Sequence, residues 1–78
     1  MILEIITPEK EVFKGDVTSV KLPGMNGGFE ILNNHAPIIS TLTRGEIRII
    51  KTDSKTEKFE INGGVIEMQN NKIIILAD

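Results

Sequence analysis

The sequence has 78 residues, with 9 basic and 11 acidic residues, a formal net charge of −2, one histidine and no cysteine. This length predicts one domain, residues 1–78, and the composition excludes disulfides and thiolate metal sites and argues against a histidine zinc cluster. The balanced charge and the lack of Trp and Tyr argue against nucleic-acid binding. No apolar run approaches the roughly 20 residues that span a bilayer, and no secretory signal is visible, so neither membrane insertion nor secretion is predicted.

The N-terminal half predicts three short strands, because β-branched residues are frequent and apolar residues recur with a period of two. Turn residues separate the strands: Pro8 lies in the first spacer and Gly15 in the second. The predicted strands are residues 2–7, 12–13 and 17–22, with turns at 7–10 and 14–16.

The C-terminal half predicts two hairpins. The first has the polar connection 52–55, and the second turns at 69–71, where asparagine tolerates the positive φ of a tight turn. Four successive apolar residues, 73–76, predict a last strand covered on both faces. The hairpins comprise 45–49 with 58–62, and 65–68 with 72–76. Together these strands predict an antiparallel β-sandwich or small barrel.

Glycines cluster at residues 24–28 and at Gly63-Gly64. The first cluster lacks the GxxxxGK pattern of a phosphate-binding loop and leads into a strand-like segment, which favours a backbone turn. The second lies between two predicted strands, where glycine marks a bend, a bulge or a close backbone approach. We interpret it as a bend at which the chain passes between sheets.

His35 is the one histidine, and Glu30 is its only carboxylate neighbour within five residues. No nucleophile and orienting group stand at a recognisable spacing, so a contact or turn role is favoured over catalysis. Two alternatives stay open: a hydrolase with His35 as base beside Glu30, and a small-molecule binding module using Asn26, Asn33 and Asn34. No spacing typical of a calcium site or of a cofactor site is present.

Seven short motifs follow one another along the whole chain. They are Leu3–Glu9, Phe13–Gly15, Val20–Gly24, Ile31–Pro37, Gly45–Ile49, Gly63–Glu67 and Ile75–Asp78. In their order and spacing they resemble the amino-terminal domain of the epsilon subunit of rotary ATP synthases, which is called delta in mitochondria.

This resemblance implies a flattened antiparallel β-sandwich of about ten short strands in two sheets. It implies a non-catalytic subunit of the central stalk, or rotor, which binds the gamma subunit and the c-ring and couples proton or sodium translocation to ATP synthesis. No cofactor, nucleic acid or small-molecule substrate is expected. The expected location is peripheral, at the cytoplasmic face of the bacterial inner membrane.

By matching position, the resemblance implies gamma contacts at Thr7, His35 and Ser40 and c-ring contacts at Gly28, Glu30 and His35. The segment 24–35 is expected to approach the ring as a loop. The sequence departs from the family pattern at two places. The acidic residue and the glycine at positions 28 and 30 are exchanged, and Asn33 replaces a common proline.

Full-length family members continue beyond the Leu-Ala-Asp motif into a two-helix hairpin that can inhibit ATP hydrolysis and in some members binds ATP. For residues 1–78 the expectation is a sandwich without this hairpin. Whether the regulation belongs to this protein depends on whether 78 residues is its natural length, and both possibilities stay open.

Overall fold

The computed structural model describes all 78 residues, from Met1 to Asp78, as eight β-strands. In chain order the strands are β1 (Ile2–Ile6), β2 (Glu11–Leu22), β3 (Phe29–Leu32), β4 (Ile38–Leu42), β5 (Gly45–Lys51), β6 (Thr56–Ile61), β7 (Gly64–Gln69) and β8 (Lys72–Ala77). The expected all-β sandwich is confirmed, with eight strands in place of about ten.

The long strand β2 takes part in both halves of a curled sheet. Its residues 11–16 pair with β1, and its residues 17–22 pair with β5 on one side and β3 on the other. The register shifts between Val17 and Ser19, as in a β-bulge, which bends a strand and changes which face its side chains occupy. We call the strands β4, β7, β8, β1 and the first half of β2 sheet A. The strands β3, the second half of β2, β5 and β6 form sheet B.

The predicted turn at residues 14–16 is wrong, because these residues continue β2 opposite β1. Gly15 serves side-chain packing there. A Cβ atom on Gly15 would lie 3.3 Å from the ring of Phe13. That ring packs against Phe59 of β6, with centroids 5.9 Å apart and planes tilted by 57°. The glycine thus leaves room for an aromatic contact between the two sheets.

The first and last strands, β1 and β8, are parallel neighbours in the middle of sheet A. All other pairs are antiparallel, as expected from the sequence. The parallel pairing brings both ends of the chain into the sheet interior, so that sheet A closes only when the whole chain has folded.

One hydrophobic core lies between the two sheets. It is built from alternate residues of the strands, since successive side chains of a strand point to opposite faces. The buried apolar residues are Met1, Leu3, Ile5, Val17, Val20, Leu22, Ile31, Leu42, Ile47, Ile49, Ile61, Ile66, Met68, Ile73, Ile75 and Ala77.

The last strand departs from its expected burial. Ile73 and Ile75 are fully buried, but Leu76 is 54% exposed on the outward side. No loop of this chain covers that side of β8, so cover by a partner stays a prediction.

Both predicted hairpins are present. β5 pairs with β6 across residues 52–55, and β7 pairs with β8 across Asn70 and Asn71. These two asparagines have φ values of 53° and 59°, which suits the tight two-residue turn. The predicted turn at 7–10 is also confirmed, because the Thr7 and Lys10 backbones and the Thr7 hydroxyl bond one another across it.

The Gly63-Gly64 pair lies where the chain leaves β6 in sheet B and enters β7 in sheet A, as interpreted from the sequence. Their φ values, 137° and 153°, lie in a region that residues other than glycine rarely adopt. A Cβ atom on Gly64 would overlap the carbonyl oxygen of Leu76. The close approach of β7 to β8 therefore depends on glycine at this position.

We expect Gly64→Ala to lower the free energy of unfolding by about 2–4 kcal/mol, because the methyl group meets rigid backbone and the positive φ is strained. The measurement is urea denaturation. Gly28→Ala is the matched control, since its Cβ would meet only the Leu22 carbonyl oxygen at an ordinary 3.5 Å. Equal stability of the two variants would contradict this account of the crossing.

Candidate functional site

The outward side of sheet A carries a group of neighbouring apolar side chains. Strand alternation turns Val65 outward from β7 and Leu76 outward from β8, and the two residues are directly opposite each other. We call this surface the A face. It consists of Ile6, Ile39, Val65, Glu67, Ile74 and Leu76.

The exposure of the A face is unusual for so small a domain. Ile39 is 74% exposed, Leu76 54% and Val65 44%. Single exposed apolar residues are normal, but a contiguous group on one face is typical of a protein-binding surface.

The outward side of sheet B differs, because it is charged. Lys21, Arg48 and Lys58 are directly opposite one another on three adjacent strands, and Glu46 is opposite Glu60. A water-exposed role suits these residues, so the A face is the better candidate for contact with another protein.

Glu30 of β3 is fixed on the outward side of sheet B. Its Oε2 atom accepts hydrogen bonds from the Ser19 hydroxyl and from Arg48 Nη2, the latter at 2.7 Å. Arg48 Nη2 also lies 2.8 Å from Ser19 Oγ. The hydrogen bond from Ser19 and then that from Arg48 lower the pKa of Glu30 below its ordinary value of 4.5. The cluster joins β3, β2 and β5.

The glycine-rich segment forms the predicted backbone turn. Gly27 has a φ of 120°, and its N–H donates to the Gly24 carbonyl at 3.0 Å. The Met25 N–H donates to Thr41 of β4, and Gly24 forms an isolated bridge with Leu42. The turn therefore attaches the start of β3 to the edge of sheet A.

His35 lies in the exposed connection between β3 and β4. Its N–H donates to the Leu32 carbonyl at 3.2 Å, and its ring Nδ1 lies 2.7 Å from the Ala36 carbonyl oxygen. Two neighbours attach this connection to the rest of the fold: Asn34 N–H donates to Asn71 Oδ1, and the Met1 amino group donates to Asn33 Oδ1.

The structure separates His35 from Glu30, the pair of the hydrolase alternative. No hydrogen bond joins the two side chains, and the Glu30 carboxylate is already engaged by Ser19 and Arg48. The largest surface cleft, about 510 Å³, lies over sheet B beside Gly24 and Gly28 and has no aromatic lining. No group of three or more potential metal ligands occurs. Nothing in this arrangement favours either alternative function.

The predicted contact residues occupy more than one surface. Segment 24–35 is interrupted by β3, so Gly28 and His35 lie at opposite ends of that strand. Thr7 follows the end of β1 beside Leu76, whereas His35 precedes β4 near the other end of sheet A, about 15 Å away along the strands. Ser40 is half-buried in the middle of β4.

Sequence reasoning missed the two outward residues Ile39 and Val65. The β-branched residues after Pro37 are the sequence signal that could have predicted β4. Which residues of β7 point outward can be determined only once its pairing with β8 is known.

The sequence and the fold both match known proteins. The family model described as the ATP synthase, Delta/Epsilon chain, beta-sandwich domain matches residues 1–78. The ATP synthase epsilon chain of Chlorobium limicola is 42% identical over 76 residues, which cover 97% of this chain and 86% of that one. The epsilon chain of Campylobacter concisus is 45% identical over 76 residues, which cover 97% of this chain but only 59% of that one.

Two solved structures share the fold at 18% sequence identity. One belongs to the Euglena gracilis mitochondrial ATP synthase assembly of OSCP, F1 and c-ring, with a TM-score of 0.92 over 99% of this chain and 49% of that chain. The other belongs to the central stalk and c-ring of the Tetrahymena thermophila mitochondrial ATP synthase, with a TM-score of 0.82 over 99% of this chain and 62% of that one. This chain therefore spans about half to three fifths of the matched chains in these structures.

We expect Glu30→Gln to destabilise the fold at neutral pH, because it removes the charge that Ser19 and Arg48 stabilise. Since the folded pKa is lowered, the contribution of Glu30 is complete above pH 4.5 and is lost as the pH falls through the folded value. Urea denaturation should therefore show a difference between wild type and variant that narrows below pH 4.5.

The control for this measurement is Glu60→Gln, on the same side of sheet B but outside the Ser19–Glu30–Arg48 cluster. It should leave the stability near that of the wild type. A Glu30→Gln difference that stays constant down to strongly acidic pH would contradict the assigned role.

Proposed function

The chain belongs to the delta/epsilon chain family of ATP synthase, matching its β-sandwich domain, and we propose that it acts in the rotor by binding the gamma subunit and the c-ring. In this role the chain performs no chemistry. It transmits torque between the ring, which proton or sodium translocation turns, and the gamma subunit, and so contributes to ATP synthesis.

The observation that carries the proposal is the A face. An isolated domain with one core has no structural need for Ile39, Val65 and Leu76 on the same outward surface. Covering such a surface by a partner removes apolar area from water, at roughly 25 cal/mol for each Å². The A face is thus suited to a lasting contact within a complex, and we assign it to the gamma subunit.

Two borders of the A face agree with the residues assigned to gamma by family resemblance. Ser40 lies on β4 next to Ile39, with its half-buried side chain turned to the other side of the strand, and Thr7 follows Ile6 at the end of β1. His35 lies beyond the opposite end of β4. We propose that gamma covers the A face, reaches Ser40 at the outermost strand β4 and Thr7 at the end of β1, and meets His35 at the margin of the face.

The ring contact is assigned to the exposed segments on either side of β3. Gly28 precedes this strand, Glu30 lies within it and His35 follows it, so a ring-facing surface would extend along β3. Because Arg48 and Ser19 engage Glu30, this carboxylate offers the ring a partly neutralised group in place of a free charge. This is the expected effect of the exchange between positions 28 and 30.

The proposed location is peripheral, on the cytoplasmic face of a bacterial inner membrane, where the ring loops and gamma meet. The structure contains no helix of the length and apolar character needed to cross a membrane. Attachment through protein contacts is sufficient for the proposed role.

We expect Leu76→Ser to weaken binding to the gamma subunit by about tenfold or more, since it removes a large apolar group from the A face. Leu32→Ser is the matched control, because Leu32 on sheet B has nearly the same exposure, 55% against 54%. The measurement is affinity for purified gamma subunit by calorimetry, with circular dichroism to verify folding. Equal losses in both variants would argue against the A face.

The absence of cysteine allows single-cysteine variants to test the assigned contacts by cross-linking in the assembled ATP synthase. We expect Ser40→Cys to cross-link to gamma and Gly28→Cys to cross-link to the c subunit. Lys55→Cys, at the exposed β5–β6 connection, should form neither product. Cross-links to gamma or c from Lys55 as strong as those from the assigned positions would overturn the assignment.

A further inference from the structure

One carboxylate lies in the middle of the apolar A face. Register places Glu67 of β7 directly between Ile39 of β4 and Ile74 of β8. Val65, two residues earlier on the same strand, points to the same side. A partner that covers the A face must therefore also cover Glu67.

Glu67 has no partner within this chain. Among the other charged residues on the outward side of sheet A, Glu4 pairs with Lys72 at 3.5 Å and lies opposite Lys14. Lys72 lines a shallow cleft together with Glu67 but is engaged by Glu4. Glu67 takes part in none of the side-chain hydrogen bonds or ion pairs of the structure. Glu67 is exposed, so its carboxylate is open to solvent water.

Removing this water without compensation would be costly, because a carboxylate in an apolar surrounding needs hydrogen bonds and an opposite charge. The cost would cancel much of the gain from covering Ile39 and Ile74. A partner that binds here with useful affinity must therefore bring a cation to the position of Glu67.

We propose that Glu67 is the electrostatic specificity residue of the A face, and that the gamma subunit places a lysine or arginine side chain over it. Apolar side chains of gamma then cover Ile39, Val65 and Leu76 around this ion pair. An arginine is well suited, since its planar group binds a carboxylate through two hydrogen bonds and tolerates apolar flanks. This inference rests on the proposed function, because it names the chemistry by which gamma is recognised.

The same geometry also suits a different role for Glu67. A lone charge on an apolar sheet surface also discourages association between copies of the same protein. The two roles predict different effects of neutralising Glu67 on gamma binding: affinity falls if gamma brings a cation, and is unchanged if Glu67 only opposes self-association.

The test compares Glu67→Gln with wild type in binding to purified gamma subunit. We expect roughly tenfold weaker binding for Glu67→Gln, and roughly a hundredfold weaker binding for Glu67→Lys, where like charges meet. The dependence of affinity on salt should also be smaller for Glu67→Gln. Glu60→Gln, an exposed carboxylate on sheet B, is the matched control and should bind as wild type does.

A charge exchange completes the test. Replacing the facing cation of gamma by glutamate should weaken binding to wild type and restore binding to Glu67→Lys. Unchanged or tighter binding by Glu67→Gln would overturn the inference and leave the proposed function standing. Failure of the wild-type chain to bind gamma at all would instead reject the proposed function, and the inference with it.

Discussion

The bend in β2 is the constraint on which the rest of the structure depends. A single strand of 12 residues is an edge strand of sheet A in its first half, where it pairs only with β1, and an inner strand of sheet B in its second half, where it pairs with β3 and β5. Val17 and Val20 are both fully buried although they are three residues apart, which is possible because the bulge between them shifts the alternation. Without this shift, the second half of β2 would turn its apolar side chains away from the core.

Because both sheets share this strand, the inner side of each sheet packs against the same hydrophobic core. The two broad surfaces that remain for partners are the outward sides. The outward side of sheet B is occupied by charged residues, including the Glu30–Arg48 pair. On sheet A the outward residues of β8 are Ile74 and Leu76, so the sequence of one strand supplies the core and the candidate interface at once. Along β8, alternate residues thus serve the core and the candidate interface.

The elements that the sequence predicted correctly are those determined by neighbours along the chain. The two C-terminal hairpins depend on local alternation and, in the second, on asparagines that accept positive φ, and both could be derived without knowledge of the fold. Gly15 was misinterpreted because its function depends on Phe13 and Phe59, which meet only after the sheets have closed. The parallel pairing of β1 with β8 joins the two ends of the chain, and no local signal specifies it. The A face shares this limitation, since Ile39, Val65 and Leu76 lie on three strands whose register sets their proximity.

The edges of the sheets also determine how a partner can bind. An exposed strand edge can recruit a further strand through backbone hydrogen bonds. Here the end of β4 is closed by the glycine-rich turn, whose Met25 N–H and Pro23 carbonyl oxygen bond to Thr41 and Thr43. The free edge at β6 carries Glu57, Lys58 and Glu60, and charges of this kind oppose strand addition. These two edges therefore offer little to an added strand, and contact on the outward side of sheet A is made by side chains alone. Affinity then depends on how well the side chains of the partner complement those of the A face. The unpaired carboxylate of Glu67 therefore affects the choice of partner more than it could at a strand edge, where backbone hydrogen bonds dominate.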